Sequence, residues 1–379
     1  GSRVPQAHPP PRQIGCRPSG GLPIPLKGGG TQTLNEMGAR GKTAARALCN
    51  GGPLEGDGPA RGRQALWERR EELLAANAQD MEAGKERGMS RALLDRLALT
   101  EARVQSMARA VEEVAQAADP VGRVLSGETR PNGLRIEKVT VPLGVIGIIY
   151  EARPNVTADA FGLCFKTGNA VILKGGKDAI HSNMAIVKVL RLALQEKGFP
   201  EAAVTLIEDT SRETTTAFMK LREYVDVLIP RGSAGLIRAV VENSTIPVIE
   251  TGTGNCHIYV DETADLDMAV DIIFNAKTQR IGVCNACESL VIHEKVLDEL
   301  MPKLKARLDE KQVEIRGDEK VCGSIDGLVP APEEDYGTEY LASNLSANTG
   351  YSMDEAIALN HPYKPGNSEA IIKNDYSTA

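Results

Sequence analysis

The regular alternation of two kinds of segment along most of the chain constrains its fold more than any other feature. From Lys138 onward, short apolar runs rich in β-branched residues are separated by segments with the apolar spacing of amphipathic helices. The predicted helices include 179–197, followed by Gly198 as a C-cap, and 233–243, opened by a serine. Strands joined by crossover helices form a parallel sheet, so the sequence predicts an α/β fold. The predicted strands are 141–150, 170–173, 204–207, 225–229 and 247–249.

Residues 64–84 and 100–118, ahead of this alternation, also have helical apolar spacing. The glycine- and proline-rich residues 51–59 are predicted to interrupt that helical region. Residues 135–139 alternate apolar with charged side chains, which is typical of a half-exposed antiparallel strand. This pattern predicts a ribbon over residues 129–140 that reaches out of the main domain.

Composition and charge exclude several classes of protein. The first 33 residues are rich in proline and glycine and contain no acidic residue, which predicts a disordered tail over 1–33 or, alternatively, a transit peptide. A net charge of −7 argues against a general nucleic-acid binder, and no apolar run approaches the roughly 20 residues of a membrane helix. The seven scattered cysteines favour a reducing cytoplasm over a disulfide framework.

Cys284 lies between a predicted helix, 266–277, and a predicted strand, 289–293. A cysteine on such a turn can be exposed, and nearby backbone amides can stabilise its reactive thiolate. Most free cysteines are instead small buried hydrophobic residues, and position alone leaves that interpretation open. The spacing to Cys287 would also suit a redox pair or half a zinc site. No second cysteine pair lies at zinc-like spacing, so no metal site is predicted.

Polar residues follow several predicted strands. Glu250 comes before Gly252 and Gly254, which either form an ordinary tight turn or let the backbone approach a ligand closely. Asn155 stands at the start of a predicted helix, where it either caps the helix or donates to an oxyanion.

Two further strand ends carry positive charge. Lys174 and Lys177 follow the strand 170–173 at its carboxyl end, where ligands bind in open α/β sheets, although most exposed lysines are simply solvated. The turn Arg231-Gly232-Ser233 lies between a strand and a helix, and free backbone amides at such a place can hold an anion.

Taken in order, these segments resemble the aldehyde dehydrogenase superfamily and, within it, the γ-glutamyl phosphate reductase family. The resemblance covers about residues 64–341 and implies an aldehyde-dehydrogenase-like α/β fold. It implies an NADP-binding domain over 34–250, interrupted by an oligomerisation ribbon over 129–140, and a catalytic domain over 251–379 that is incomplete at its C-terminus. It also implies a homo-oligomer. The segments that carry the resemblance are 141–157, 174–177, 207–213, 226–232, 250–257 and 283–286.

The resemblance also implies catalytic roles. Cys284 matches the family's nucleophile, and Asn155 matches the asparagine that stabilises the oxyanion together with the backbone N–H of Cys284. Glu250 lies 34 positions before Cys284 (284 − 250), the superfamily's spacing between its glutamate and its cysteine. Arg153 is implied in substrate binding.

The implied cofactor is NADPH. Lys174 matches the lysine at the adenosine ribose, and Arg231, Gly232 and Ser233 match the turn beside the pyrophosphate. Glu339 resembles the glutamate that holds the nicotinamide ribose. Lys177 stands where NAD-using relatives commonly carry a glutamate, and a lysine there would attract the 2′-phosphate of NADP.

The implied activity is the NADPH-dependent reduction of L-glutamate 5-phosphate to L-glutamate 5-semialdehyde in proline biosynthesis, through a thioester on Cys284. Two alternatives stay open: another acylating semialdehyde dehydrogenase, and a catalytically silent truncated remnant. The sequence departs from the family at Ile281-Gly282, where Pro-Ser is frequent. It also departs at 342–367, where turn-forming residues are predicted to replace a strand and a helix.

Overall fold

The computed structural model describes residues 33–50, 57–151, 153–250, 252, 254–363 and 366–375. Except for Thr33, the predicted tail 1–33 lies outside the described residues. Residues 34–379 form one compact unit that contains two separate parallel sheets. The division into a cofactor domain and a catalytic domain at residue 250 stays a prediction.

In the described part of the chain, five helices precede the first strand: α1 (Leu34–Asn50), α2 (Asp57–Glu68), α3 (Arg70–Glu86), α4 (Arg91–Leu97) and α5 (Glu101–Gln116). The predicted helix 64–84 is divided at Arg69 into α2 and α3, and the predicted helix 100–118 corresponds to α5. The predicted interruption over 51–59 is too long, because α2 already begins at Asp57. Pro59 lies in its first turn, where the missing N–H costs no helical hydrogen bond. Within the described residues, no helix is long and apolar enough to span a membrane.

Strands β1 (Val124–Thr129) and β2 (Arg135–Val139) confirm the predicted antiparallel ribbon. The ribbon begins five residues earlier than predicted, at Val124 instead of 129 (129 − 124). All residues of both strands are exposed, although the alternation had predicted one buried face. The apolar side chains lack cover because the ribbon is a two-stranded sheet of its own.

The first main sheet contains β3 (Val145–Tyr150), β4 (Ala170–Lys174), β5 (Val204–Leu206) and β6 (Val227–Arg231), all parallel, in the order β5-β4-β3-β6. This order confirms the predicted parallel sheet. Its connections include α6 (Asn155–Lys166), α7 (Ile180–Glu196), α8 (Arg212–Phe218) and α9 (Ala234–Asn243). The predicted strand 247–249 is wrong: Val248 forms only an isolated bridge to Leu228. Pro247 has no N–H with which to extend that pairing.

The second main sheet contains β7 (Cys256–Val260), β8 (Cys287–His293), β9 (Glu314–Gly317), β10 (Val329–Pro330), β11 (Asn344–Gly350) and β12 (Glu369–Ile372). All neighbours are parallel, in the order β10-β9-β11-β8-β7-β12. Its helices are α10 (Leu266–Thr278), α11 (Glu294–Asp309), α12 (Glu319–Ser324) and α13 (Met353–Asn360). Helices α10 and α11 cover the apolar core of this sheet.

The prediction that residues 342–367 form turns in place of a strand and a helix is wrong. The residues Asn348-Thr349-Gly350 belong to β11, which lies between β8 and β9, and α13 follows them. Gly350 is used for packing: a Cβ at this position would lie 3.1 Å from Cγ1 of Val291 on β8. Pairing with β8 outweighs the local turn preference of these three residues, and the first half of the strand, 344–347, pairs with β9 as well.

Candidate active site

The two cysteines of the Cys284-x-x-Cys287 motif lie in opposite environments. Cys284 is an exposed free thiol on the turn between α10 and β8. Cys287 is the first residue of β8 and is 1% exposed, and burial raises its pKa to about 12. Of these two thiols, only the exposed Cys284 can therefore meet a substrate. No cluster of three metal-ligating side chains occurs in the described part of the chain.

The turn that carries Cys284 is held in place by hydrogen bonds that the backbone carbonyl of Cys284 accepts from distant residues. The Cys256 thiol donates to Cys284 O at 3.1 Å, and Asn367 Nδ2 donates to it at 3.3 Å. Gly254 lies against the same peptide, because a Cβ there would come within 2.1 Å of Cys284 O. Gly254 thus permits a close backbone approach, which was one of the two alternatives for this segment, but the approach is to the protein's own Cys284 turn. Sequence reasoning did not identify Asn367.

Two arginines converge on the same turn. Arg153 Nη2 and Arg96 Nη2 donate to Gly282 O at 3.3 Å and 3.2 Å. Partial desolvation, and then the positive charges of Arg96, Arg280 and Arg231, lower the pKa of Arg153, whereas the Cys284 thiolate acts in the opposite direction. Arg153 therefore lies beside Cys284, where its predicted role in substrate binding requires it. Arg96 lies on α4, 188 residues before Cys284 (284 − 96), and no local sequence signal indicates its role.

Asn155 is the first residue of α6, but it does not cap that helix. Pro154 occupies the N-cap position, and no side-chain capping bond is formed. The exposed Asn155 amide donates one N–H to Asp159 Oδ2 at 2.9 Å, which leaves its second N–H available. Among the described residues, the backbone N–H of Cys284 has no acceptor. Since Arg153 contacts Gly282, the segment carrying Asn155 lies next to the Cys284 turn.

Glu250 is exposed and lies four residues before Gly254, on the segment that approaches the Cys284 backbone. Its catalytic role stays a prediction. Glu339 is half-buried on the segment that leads from β10 to β11. Two residues later, Leu341 N donates to Glu288 Oε1 at 3.1 Å, so this segment is anchored beside strand β8, which follows the Cys284 turn.

The anchor is a fully buried ion pair. Lys277 Nζ lies 2.5 Å from Glu288 Oε2, and both side chains are 0% exposed. Desolvation raises the pKa of Glu288, and the Lys277 charge opposes that shift. The pair joins the end of α10 to the start of β8, on either side of the Cys284 turn. Sequence reasoning did not identify it.

The predicted cofactor lysines have different surroundings. Lys174 ends β4 and is only 3% exposed, and burial lowers its pKa while the Asp209 charge acts against that shift. Its ammonium donates to Gly175 O at 3.4 Å and forms no ion pair among the described residues. Lys177 is exposed at the start of a short 3-10 turn that leads into α7. Both lysines lie at the carboxyl edge of the first sheet, as predicted.

The turn Arg231-Gly232-Ser233 joins β6 to α9, as predicted. Ser233 caps α9 by accepting from Leu236 N at 3.4 Å. Its own N–H and Oγ donate to the two carboxylate oxygens of Glu151 at 2.9 Å and 2.8 Å. The start of α9 therefore binds an anion, and here that anion is the protein's own carboxylate.

Comparison with known proteins identifies the family of the chain. The aldehyde dehydrogenase family model matches residues 56–324. A γ-glutamyl phosphate reductase of Moorella thermoacetica is 54% identical over 347 residues, which are 91% of this chain and 83% of the relative. One from Heliobacterium modesticaldum is 52% identical over 349 residues, with 91% and 84% covered. The crystal structure of γ-glutamyl phosphate reductase from Thermotoga maritima superposes with a TM-score of 0.85 at 46% identity, covering 91% of this chain and 83% of that one.

Proposed function

The chain belongs to the aldehyde dehydrogenase family, and from that premise we propose that it reduces L-glutamate 5-phosphate to L-glutamate 5-semialdehyde in proline biosynthesis, using a nicotinamide cofactor and releasing phosphate. The observation that carries this proposal is identity above 50% to γ-glutamyl phosphate reductases over nine tenths of the chain. The exposed Cys284 on its glycine-packed turn supplies the matching chemistry.

The first step uses groups of the chain itself. The Cys284 thiolate attacks the acyl carbon, a C–S bond forms, and the bond from that carbon to the phosphate oxygen breaks as phosphate leaves with the electron pair. The free backbone N–H of Cys284 and the second amide N–H of Asn155 stabilise the oxyanion of the tetrahedral intermediate. Arg153 binds the substrate beside the thiol. Because phosphate is the leaving group, this step needs no water activated by Glu250.

The residues at the first sheet's carboxyl edge fit a dinucleotide. Lys174 is a buried cation without an ion-pair partner in the described residues, and the start of α9 already holds a carboxylate. Lys174 would hold the adenosine ribose, and the Arg231-Gly232-Ser233 turn would hold the pyrophosphate. Glu339 would hold the nicotinamide ribose. A bound nicotinamide dinucleotide supplies the hydride that reduces the thioester. Exposed Lys177 favours NADPH over NADH, since its charge attracts a 2′-phosphate.

The exposed ribbon supports a homo-oligomer. Val124 and Leu125 on β1 are 57% and 59% exposed, and Ile136 on β2 is 46% exposed. Pairing of this ribbon with a second copy would cover these side chains and the free strand edges. The reduced state that the Cys284 thiolate requires is consistent with the cytoplasm.

The direct test is the reverse reaction, in which NADP, glutamate-5-semialdehyde and phosphate yield NADPH. We expect turnover that depends on phosphate and that NAD supports less well. Turnover that depends on coenzyme A instead would identify another acylating semialdehyde dehydrogenase. A folded protein without turnover on either acceptor would contradict the proposal and favour the catalytically silent alternative.

A further inference from the structure

Arg153, which contacts the Cys284 turn, has Arg96, Arg280 and Arg231 within electrostatic range, and these four arginines come from four separate parts of the chain. Arg96 and Arg153 share the carbonyl of Gly282, two residues before the nucleophile. Arg280 and Arg231 lie within electrostatic range of Arg153. Arg96 lies flat against Gly282, since a Cβ on that glycine would be 3.2 Å from Nη2 and 3.4 Å from Nε.

This positive charge is not neutralised within the described part of the chain. None of the four arginines forms an ion pair within 4.0 Å there. Asp159 is the carboxylate within electrostatic range of Arg231, and desolvation raises its pKa. The neighbouring carboxylates bind other groups: Asp95 binds Arg103, Glu151 binds Ser233, and Asp159 binds Asn155.

Like charges held close together without a counterion are costly, unless an anion joins them during the reaction cycle. The thiolate of Cys284 supplies one negative charge, and among the described residues no carboxylate forms an ion pair with any of these guanidinium groups. Guanidinium groups bind phosphate oxygens in a planar, bidentate manner, which suits a doubly charged phosphate better than a single carboxylate.

We propose that Arg96 on α4, with Arg153 and Arg280, binds the phosphate group of the acyl phosphate beside Cys284 and holds it as it leaves. This inference rests on the proposed function. In the reverse direction the same arginines hold inorganic phosphate while one of its oxygens attacks the thioester carbon. The C–O bond forms, the C–S bond breaks, and Cys284 leaves as a thiolate.

The first experiment measures the reverse reaction with inorganic phosphate as the varied substrate. For Arg96→Ala we expect the KM for phosphate to rise about tenfold or more, because a charge-assisted contact is lost. The KM for NADP should change less than twofold. Arg96→Lys should recover part of the loss. Arg91→Ala, on the exposed first turn of the same helix, is the matched control and should behave like the parent.

If Arg96→Ala acted only by disturbing the backbone of the Cys284 turn, the kinetic constants would change in a different way. If Arg96 only supports the backbone at Gly282, Arg96→Ala would lower kcat and leave the KM for phosphate unchanged, and this outcome would overturn the inference. The proposed function is judged separately, because it fails only if the parent protein shows no phosphate-dependent turnover.

A second experiment does not depend on turnover. Alkylation of Cys284 by iodoacetate and by iodoacetamide is followed by mass spectrometry of its peptide at low ionic strength. A cationic anion site favours the charged reagent, so Arg96→Ala should lower the ratio of the two rates by about threefold or more. Phosphate should protect the parent thiol from iodoacetate more than it protects the variant. An unchanged ratio and unchanged protection would overturn the inference.

Discussion

The carboxyl edge of the four-stranded sheet and the Cys284 turn both collect positive charge, but they are built differently. At the sheet edge, Lys174 is buried at a strand end, and the neighbouring turn meets the carboxylate of Glu151. At the Cys284 turn, the thiol is exposed and its arginines come from distant segments. The proposed cofactor site at the edge is thus built from strand ends that are close in sequence to their own sheet, whereas the proposed reactive site at the turn depends on long-range contacts. Substitutions at the edge should change cofactor binding, and those at the turn should change the chemistry.

The largest effect is expected at the thiol itself. Cys284→Ser should lower turnover by about 10³-fold or more, because a serine hydroxyl without a dedicated base is a weak nucleophile. Cys287→Ser is the control: the Cys287 thiol has a pKa of about 12 and stays protonated, so this variant should keep most of the activity. Steady-state kinetics with NADP and phosphate measure the turnover of both variants. Retained activity in Cys284→Ser would refute the assignment of the nucleophile.

The buried Lys277–Glu288 pair beside the turn should matter most for stability. Lys277→Met leaves the Glu288 carboxylate buried without a cation and should lower the free energy of unfolding by about 3–5 kcal/mol. Urea denaturation measures this change. The control is Lys305→Met, which removes one partner of the partly exposed Lys305–Asp309 pair and should cost no more than about 1 kcal/mol. Equal losses of unfolding free energy in the two variants would show that the contribution of the Lys277–Glu288 pair to stability does not depend on its burial.

Gly254→Ala should show how much the position of the Cys284 backbone matters for kcat, because this substitution changes no charge at the turn. Its Cβ would come within 2.1 Å of Cys284 O, so the nucleophile has to move, and we expect kcat to fall by roughly 10- to 100-fold. At the sheet edge, Gly235→Ala in α9 meets no atom within 4 Å and should leave kcat unchanged. Circular dichroism verifies that both variants are folded. A normal kcat for Gly254→Ala would mean that the turn adapts without cost.

The smallest effect is expected at the carboxyl edge of the four-stranded sheet, where a substitution should change the preference between cofactors. Lys177→Glu should lower the preference for NADP over NAD by about tenfold, because the exposed ammonium is replaced by a charge that repels the 2′-phosphate. The ratio of kcat/KM for the two cofactors measures it. Lys197→Glu, at the exposed C-cap of α7, is a charge-matched control away from the edge. If both variants change the ratio equally, the selectivity comes from the overall charge of the protein.

Much of the fold could be predicted from local patterns. The strands of the first sheet, helix α7 with Gly198 in a left-handed conformation just past its C-cap, and helix α9 with its Ser233 cap form where apolar spacing and terminating residues indicate them. The prediction of turns at 342–367 was wrong for a physical reason. Asn348, Thr349 and Gly350 favour turns by themselves, but β8 supplies a pairing partner for all three residues, and Thr349 N donates to Asp318 Oδ2 on the other side.

What the sequence by itself determined is the local chemistry: a cysteine on a turn, cations at strand ends, and the alternation that produces parallel sheets. Only the tertiary structure decided which residues meet at the thiol. Arg96 reaches Gly282 from 186 residues away, and Asn367 reaches Cys284 from 83 residues away. Their side chains have no periodicity or motif, because their positions depend on packing between helices and sheets and not on neighbours in the chain. Contacts of this kind form only when the whole unit folds, so a pattern read along the sequence does not contain them.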